Sequence, residues 1–351
     1  METIVKKLDR NALKKEDFAE AVHILRSGGL VAFPTETVYG LGGNALDRMA
    51  AAKIYAAKGR PSDNPLIVHI AEKEALEKLA EDIPETAWEL AKRFWPGPLT
   101  MILKKSSLVP DTTTGGLSTV AIRMPSDEIA RRLIMESGLY LAAPSANASG
   151  RPSTTKASHV YEDLAGKIEL ILDGGESLIG LESTIIDLSE EKPVILRPGF
   201  LSREEMLSLL PGLEYDPAVI AKTDQKNIVA RAPGMKYRHY APKGNLVIYE
   251  GERKAVINAI NCAVARRIKE GGTCAVLTTE ESKAEYLCPC VKSIGTRQKE
   301  ETIAASLFDV LRSFDEEGIE YIFSESFSDG HLGTAIMNRL LKAAGHQVIY
   351  I

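Results

Sequence analysis

In a chain whose acidic residues outnumber its basic ones, 48 to 43, the bases gather at a few turns. Lys58-Gly59-Arg60-Pro61-Ser62-Asp63-Asn64 closes a helical stretch and leads into a strand. Ser145-Ala146-Asn147 through Gly150-Arg151-Pro152-Ser153 follows a strand with no acid among its polar residues, and Arg123 and Arg197 each end a strand. Cationic side chains beside Ser, Thr and Asn donors are what a phosphate chain requires, since the cations offset its charge and the neutral donors bond it without adding more. Any one of these segments reads equally well as a solvated turn. Four in one chain point to a shared anion site, because ligands of open α/β sheets bind beyond the carboxyl ends of the strands. Lys58 and Arg60 are expected there as exposed arms that bury little area and act on phosphate charge.

Two further places offer chemistry. Pro34-Thr35-Glu36-Thr37-Val38-Tyr39-Gly40 follows a strand and sets two hydroxyls beside a carboxylate, which suits a small polar ligand or a plain turn. His69 lies in Leu66-Ile67-Val68-His69-Ile70, an apolar run typical of a strand buried on both faces. A histidine there is either a hydrogen-bonded core residue or, near the strand's end, a ligand contact. Two nucleotide signatures are missing. There is no GxxxxGK[ST] loop, and Gly40-Leu41-Gly42-Gly43-Asn44-Ala45 lies past its strand with no acidic partner about twenty residues on. That glycine string reads as a tight turn ahead of a helix beginning near Asn44.

The elements that must position these residues alternate. Periodicity predicts strands over 30–34, 66–70, 99–103, 120–124, 140–143, 169–172, 184–187 and 194–197, with helices over 44–58, 84–95, 126–137 and 202–210. A short polar link between 183–188 and 192–197 predicts a hairpin, hence a mixed sheet. From 211 to 244 four prolines break the pattern, predicting an unusually long interdomain linker. Beyond it, strands over 246–249, 274–278, 291–294, 319–323 and 347–350 alternate with helices over 255–269, 281–287, 301–314 and 335–344. That is the βαβ pattern of a small doubly wound parallel sheet.

Length and composition agree with two α/β domains. The 351 residues exceed twice a usual domain of roughly 150, and 44% hydrophobic with 26% charged residues excludes a disordered, fibrous or coiled-coil chain. A net charge of −5 leaves no overall positive field for nucleic acid or an anionic membrane. The first residues, METIVKKLDRN, lack a signal peptide's apolar region, and no run of roughly 18 apolar residues occurs, so the cytoplasm and no membrane are expected. Cys262, Cys274, Cys288 and Cys290 form no CxxC pair and have no histidine at finger-like spacing; they read as reduced thiols, with no metal site. Pro289 makes a regular strand through Cys288 and Cys290 doubtful.

Six motifs in order carry a resemblance: FPTETVYGLG (33–42), KGRPSDNPL (58–66), TVAIRMP (119–125), PSANASGRPS (144–153), ESTIID (182–187) and LRPG (196–199). Together they resemble the threonylcarbamoyl-AMP synthase family, whose catalytic unit is the YrdC domain and whose hallmark is K-x-R followed by S-x-N. PGMKYRHYAP (233–242), with the βαβ repeat behind it, resembles the family's long two-domain form. The resemblance implies a YrdC-like open, mixed, twisted sheet with helices over 14–210, a linker or lid over 211–244, and a smaller Rossmann-like doubly wound parallel sheet over 245–351. It implies synthesis of L-threonylcarbamoyl-AMP from L-threonine, bicarbonate and ATP with release of pyrophosphate. Separate transferase enzymes would then modify the tRNA adenosine beside the anticodon, so tRNA is a partner only indirectly.

Carried over by position, the resemblance sets threonine against Thr37, His69, Arg123, Ala143 and Ser183. It sets ATP against Lys58, Arg60, Asn64, Thr119, Ser145, Asn147, Ser153 and Arg197. A carbamate oxygen would attack the α-phosphorus, so no side chain need act as a nucleophile and positioning with charge stabilisation carries catalysis. Mg²⁺ is expected to ride on ATP, because no carboxylate cluster is dedicated to it. The segment 231–243 has four fixed positive charges, two tyrosines, a histidine and no acid, a composition a flexible tether does not need. It is expected to fold over the pocket as a lid, with Tyr237, His239 or Tyr240 contacting substrate and its bases facing phosphate.

Two other functions compete. A concave, locally basic surface of this type could bind structured RNA by shape and phosphate contacts, against which stand the net charge and the lack of interleaved surface aromatics. A carbamoyl-transfer maturation factor would carry acylphosphatase and zinc-finger segments, which this sequence lacks.

Overall fold

A computed structural model describes the chain except residues 1, 221–229, 234–238, 328–329 and 331. It divides into two compact units: among the described residues, 2–149, 153–220 and 230–233 form the first, and 150–152 with 239–351 the second.

The first unit is built on a twelve-stranded mixed sheet. In chain order its strands are β1 Ile4–Lys7, β2 Val31–Phe33, β3 Gly40–Asn44, β4 Ile67–His69, β5 Ala80–Glu81, β6 Leu99–Lys105, β7 Thr119–Arg123, β8 Leu141–Ala142, β9 Leu170–Asp173, β10 Thr184–Asp187, β11 Val194–Arg197 and β12 Glu214–Tyr215. Across the sheet they run β1-β9-β2-β3-β8-β4-β7-β6-β10-β11-β12, with β5 paired to β6. The predicted hairpin is present as antiparallel β10 and β11, Ile186 opposite Ile195. β1 pairs in parallel with β9, so the sheet begins ahead of residue 14, where the first domain was expected to start.

Alternate residues of β2 enter different cores, Leu30 and Ala32 one, Val31 and Phe33 the other, because successive side chains of a strand point to opposite faces. One core packs the helices Arg48–Lys58, Glu85–Phe94 and Ala157–Leu164, and the other packs Ala19–Arg26 and Glu128–Ser137. A smaller apolar cluster, Ile67, Ile102, Ala121 and Ile185, lies on strands β4, β6, β7 and β10, and Ala232 packs onto it.

The glycine string 40–45 is not a turn. Gly40–Asn44 is β3, antiparallel to β2 and β8, and the helix begins only at Arg48, where the Asp47 carboxylate caps Met49 N. Glycine is required because the Phe33 ring lies over the strand; a Cβ on Gly42 would stand 2.6 Å from its edge. The predicted helix over 202–210 is one capped turn, Arg203–Met206.

The second unit is a five-stranded sheet, parallel throughout: β13 Asn245–Glu250, β14 Cys274–Thr278, β15 Cys290–Ser293, β16 Tyr321–Glu325 and β17 Val348–Tyr350, in the order β15-β14-β16-β13-β17. Helices Arg253–Lys269, Glu300–Glu316 and Gly333–Ala343 connect them. The strand at 290 starts just past Pro289, as proline geometry requires. The predicted helix over 281–287 is a single 3₁₀ turn, Lys283–Glu285, because Ser282 and Tyr286 turn inward to bond the buried Glu325. No helix among the described residues is long and apolar enough to cross a membrane.

Candidate functional site

Three neighbouring strands bring the first polar row together. His69 at the end of β4 stands in register with Arg123 at the end of β7, and Arg123 with Thr100 on β6. Register partners in a sheet project to one face, so the three side chains share a side. It is the side on which Ile67, Ala121 and Ile102, two residues along each strand, form the small cluster that Ala232 covers. Thr119, four residues before Arg123 on β7, belongs to the same face. Next along the row, Ser183 Oγ lies 2.7 Å from Thr100 Oγ1, and Arg197 donates to Ser183 through Nη2 to the hydroxyl and Nε to the carbonyl, each at 3.0 Å. Gly199 makes that approach feasible, since a Cβ there would fall 2.3 Å from Thr184 N.

Arg123 meets Glu36 from the loop after β2, with Nη2 2.8 Å from Oε1 and both residues buried. The contact is a charge pair without hydrogen-bond geometry: among the described residues both Glu36 oxygens and Arg123 Nε and Nη2 have no hydrogen-bond partner. A buried polar atom left unmet costs about 1–3 kcal/mol, so the loop holds a centre that a ligand's charged group would complete. Thr37, fully buried beside it, bonds Thr35 Oγ1 at 2.9 Å, and Ala143 donates its N–H to Ile67 O at 2.9 Å. Burial, and then the Arg123 charge, lower the His69 pKa from its ordinary value to about 3, so the ring is neutral near pH 7. Its Nδ1 lies 3.1 Å from Ile67 O, which can only accept. That assigns the proton to Nδ1 and leaves Nε2 with an open lone pair.

The second group surrounds the end of helix Arg48–Lys58. Lys58 Nζ donates to the carbonyls of Ser145 and Asn147, Ser145 Oγ donates to Asn147 Oδ1, and Ser149 N returns a bond to Lys58 O. Arg60 bonds Asn64 O and Pro65 O, while Asn64 Oδ1, buried, has no partner. Lys58 and Arg60 are 3% and 9% exposed, not the exposed arms expected: carbonyls far along the chain, at Ser145 and Asn147, hold Lys58, and those of the adjoining turn, at Asn64 and Pro65, hold Arg60. Ser153 Oγ donates to Glu182.

The linker departs from expectation. Arg231 pairs with Asp187 at 3.0 Å and with Asp216, so that base faces two carboxylates instead of phosphate. Tyr240 is buried within the second unit, its ring stacked 5.2 Å from Phe308 and 5.8 Å from the Arg339 guanidinium, with His239 beside it at 5.6 Å. Tyr237 lies outside the described residues. Sequence reasoning left out Glu36, Thr100 and Glu182 from the site. Glu36 stood inside a motif already singled out, and Thr100 was readable as a lone hydroxyl within the apolar run of β6.

Residues 23–199 match the Sua5/YciO/YrdC family model, described as telomere recombination, and residues 201–345 the model described as threonylcarbamoyl-AMP synthase, C-terminal domain. A threonylcarbamoyl-AMP synthase from Pyrococcus abyssi is 51% identical, covering 94% of this chain and 95% of its own. One from Bacillus subtilis is 50% identical over 97% and 96%. A solved structure of P. abyssi Sua5 complexed with L-threonine has a TM-score of 0.92 at 48% identity and covers 99% of each chain. Similarity this high, running through both units, leaves one assignment: the chain belongs to the threonylcarbamoyl-AMP synthase family.

Proposed function

We propose that the first unit makes L-threonylcarbamoyl-AMP from L-threonine, bicarbonate and ATP, releasing pyrophosphate. The reading rests foremost on the buried Glu36–Arg123 pair, whose unmet atoms suit an amino acid. Arg123 grips the threonine carboxylate as a fork, and Glu36 holds that guanidinium in place. Thr37, Ser183 and the His69 Nε2 lone pair take the hydroxyl and amine, and Ala143 lies against the β-methyl. Amine and bicarbonate combine into a carbamate with loss of water; a carbamate oxygen then attacks the α-phosphorus and pyrophosphate departs. Lys58, Arg60 and Arg197 offset phosphate charge, while Asn64, Thr119, Ser145, Asn147 and Ser153 supply neutral groups.

Magnesium arrives as part of the ATP substrate; among the described residues no group of three or more His, Cys, Asp or Glu could hold a metal. A cover over the site is the role proposed for the segment 231–243, and what supports it is that Arg231 pairs with Asp187 and Ala232 packs on the sheet face that carries the polar row. The product passes to transferase enzymes that modify tRNA, and the reaction runs in the cytoplasm, where ATP and free threonine meet. Relatives named as synthases over nearly the whole chain weigh against RNA binding as the main activity.

Pyrophosphate release from ATP is the test. It is expected to need threonine and bicarbonate together, with serine slower by about tenfold or more, the worth of one buried methyl at roughly 1–3 kcal/mol. Equal release without threonine would overturn the reading.

A further inference from the structure

The second unit has a cavity that the synthase chemistry does not use, about 340 Å³ in volume. Its place in the fold is specific. From β13 the chain crosses through helix Arg253–Lys269 to β14, on the far side of β16, whereas from β16 it crosses the opposite way through helix Gly333–Ala343 to β17, on the far side of β13. Right-handed crossovers running in opposite directions put these two helices on opposite faces of the sheet. The connections leaving β13 and β16 therefore part, and the crevice between them is where doubly wound sheets bind ligands. The cavity is lined there by Tyr249, Gly251 and Arg253 from the end of β13 and by Glu325 and Phe327 from the end of β16, with Arg297 reaching in.

The lining chemistry narrows the ligand. Arg297 Nη2 is pinned by Glu325 at 2.6 Å and Ser326 O at 3.0 Å, and its guanidinium lies 5.2 Å from the Phe327 ring centre. Arg253 Nη2 is likewise pinned, by Glu285 at 2.6 Å and Glu281 O. Among the described residues each guanidinium thus has one nitrogen held while Nε and Nη1 make no hydrogen bond, which leaves those two edges open to an oxyanion. Each charge is already balanced by a carboxylate, which favours an anion of low charge over a triphosphate. The rest of the wall is aromatic and apolar, Tyr249, Phe327 and Val256, and suits a planar body.

We propose that this cavity, between the ends of β13 and β16, is a second ligand site that takes a nucleoside monophosphate, its phosphate on Arg253 and Arg297 and its base against Phe327 and Tyr249. Hydrogen–deuterium exchange of the full chain with AMP, adenosine or inorganic phosphate tests it. Millimolar AMP should slow exchange across residues 249–256 and 325–327, while adenosine alone and phosphate alone should do so far less. Arg297→Ala should weaken that protection by about tenfold or more, the worth of a lost charge-assisted contact. Ser326→Trp, at a half-buried lining position, fills the cavity without removing a charge and should abolish the protection, while unchanged exchange in β14, residues 274–278, shows that the unit stays folded in both variants. Exchange in segment 58–64 reports the first unit separately. No protection at 249–256 and 325–327, or protection that survives both substitutions, would overturn the proposal, as would adenosine or phosphate matching AMP.

Discussion

Each unit buries a glutamate beside an arginine, Glu36 at 2.8 Å from Arg123 in the first and Glu325 at 2.6 Å from Arg297 in the second. Their surroundings differ. Glu325 accepts from Thr278, Ser282, Tyr286 and Arg297, and although burial pushes its carboxyl pKa up, those bonds hold it below the usual range. Glu36 has neither oxygen hydrogen-bonded, and its arginine keeps two nitrogens unmet. A saturated carboxylate fixes a fold, here by pinning a turn and an arginine, whereas an unsaturated buried pair carries a cost that a bound ligand would offset. Substitutions at the two pairs should therefore separate activity from stability.

The largest effect is expected from Arg123→Ala. Losing a buried charged contact to substrate is worth roughly 2–5 kcal/mol, so kcat/KM for threonine should fall by about two orders of magnitude or more. Stability should fall as well, since Glu36 is left buried alone; adding Glu36→Ala should restore stability but not turnover. Lys58→Ala should lower turnover by about 10²–10³, as for other donors to a developing phosphate charge. Because Lys58 is buried on two carbonyls, urea unfolding should also show a loss of about 1–3 kcal/mol.

Glu36→Gln keeps the shape and removes the charge that steadies Arg123. Steady-state kinetics should show KM for threonine raised about tenfold with kcat nearly unchanged. Glu325→Gln should do the reverse, leaving pyrophosphate release per folded molecule unaltered while costing about 1–3 kcal/mol of stability. The remaining effect, on pH dependence, concerns His69, whose folded pKa of about 3 lies below the unfolded value of 6.5. Between those values the unfolded chain binds the extra proton. Stability should thus fall as pH drops from about 6.5 toward 3, by up to about 1.4 kcal/mol per unit from this group, and His69→Asn should flatten that part of the curve.

Much of this was legible in the sequence where the signal is local. The strand ends that carry His69, Arg123 and Arg197, and the hairpin after Ser183, follow from apolar runs closed by polar residues. What escaped depends on partners far along the chain. β3 has almost no strand propensity of its own; it is held by pairing with β2 and β8, and glycine is what lets it pass beneath the Phe33 ring. Lys58 looked exposed because its acceptors lie almost ninety residues away, at Ser145 and Asn147. Arg231 looked available to phosphate because Asp187 and Asp216 are neighbours only in the fold. Glu36 stood in a motif read as suiting a small polar ligand, but its pairing with Arg123 exists only in the fold.

The central claim is that the unmet Glu36–Arg123 centre is the threonine receptor. Calorimetric titration of L-threonine into the full chain, wild type against Arg123→Ala, each checked for native folding, tests it most directly. Saturable binding by the wild type, weakened by about two orders of magnitude or lost in the folded variant, is the predicted result. Wild-type affinity in folded Arg123→Ala would contradict it.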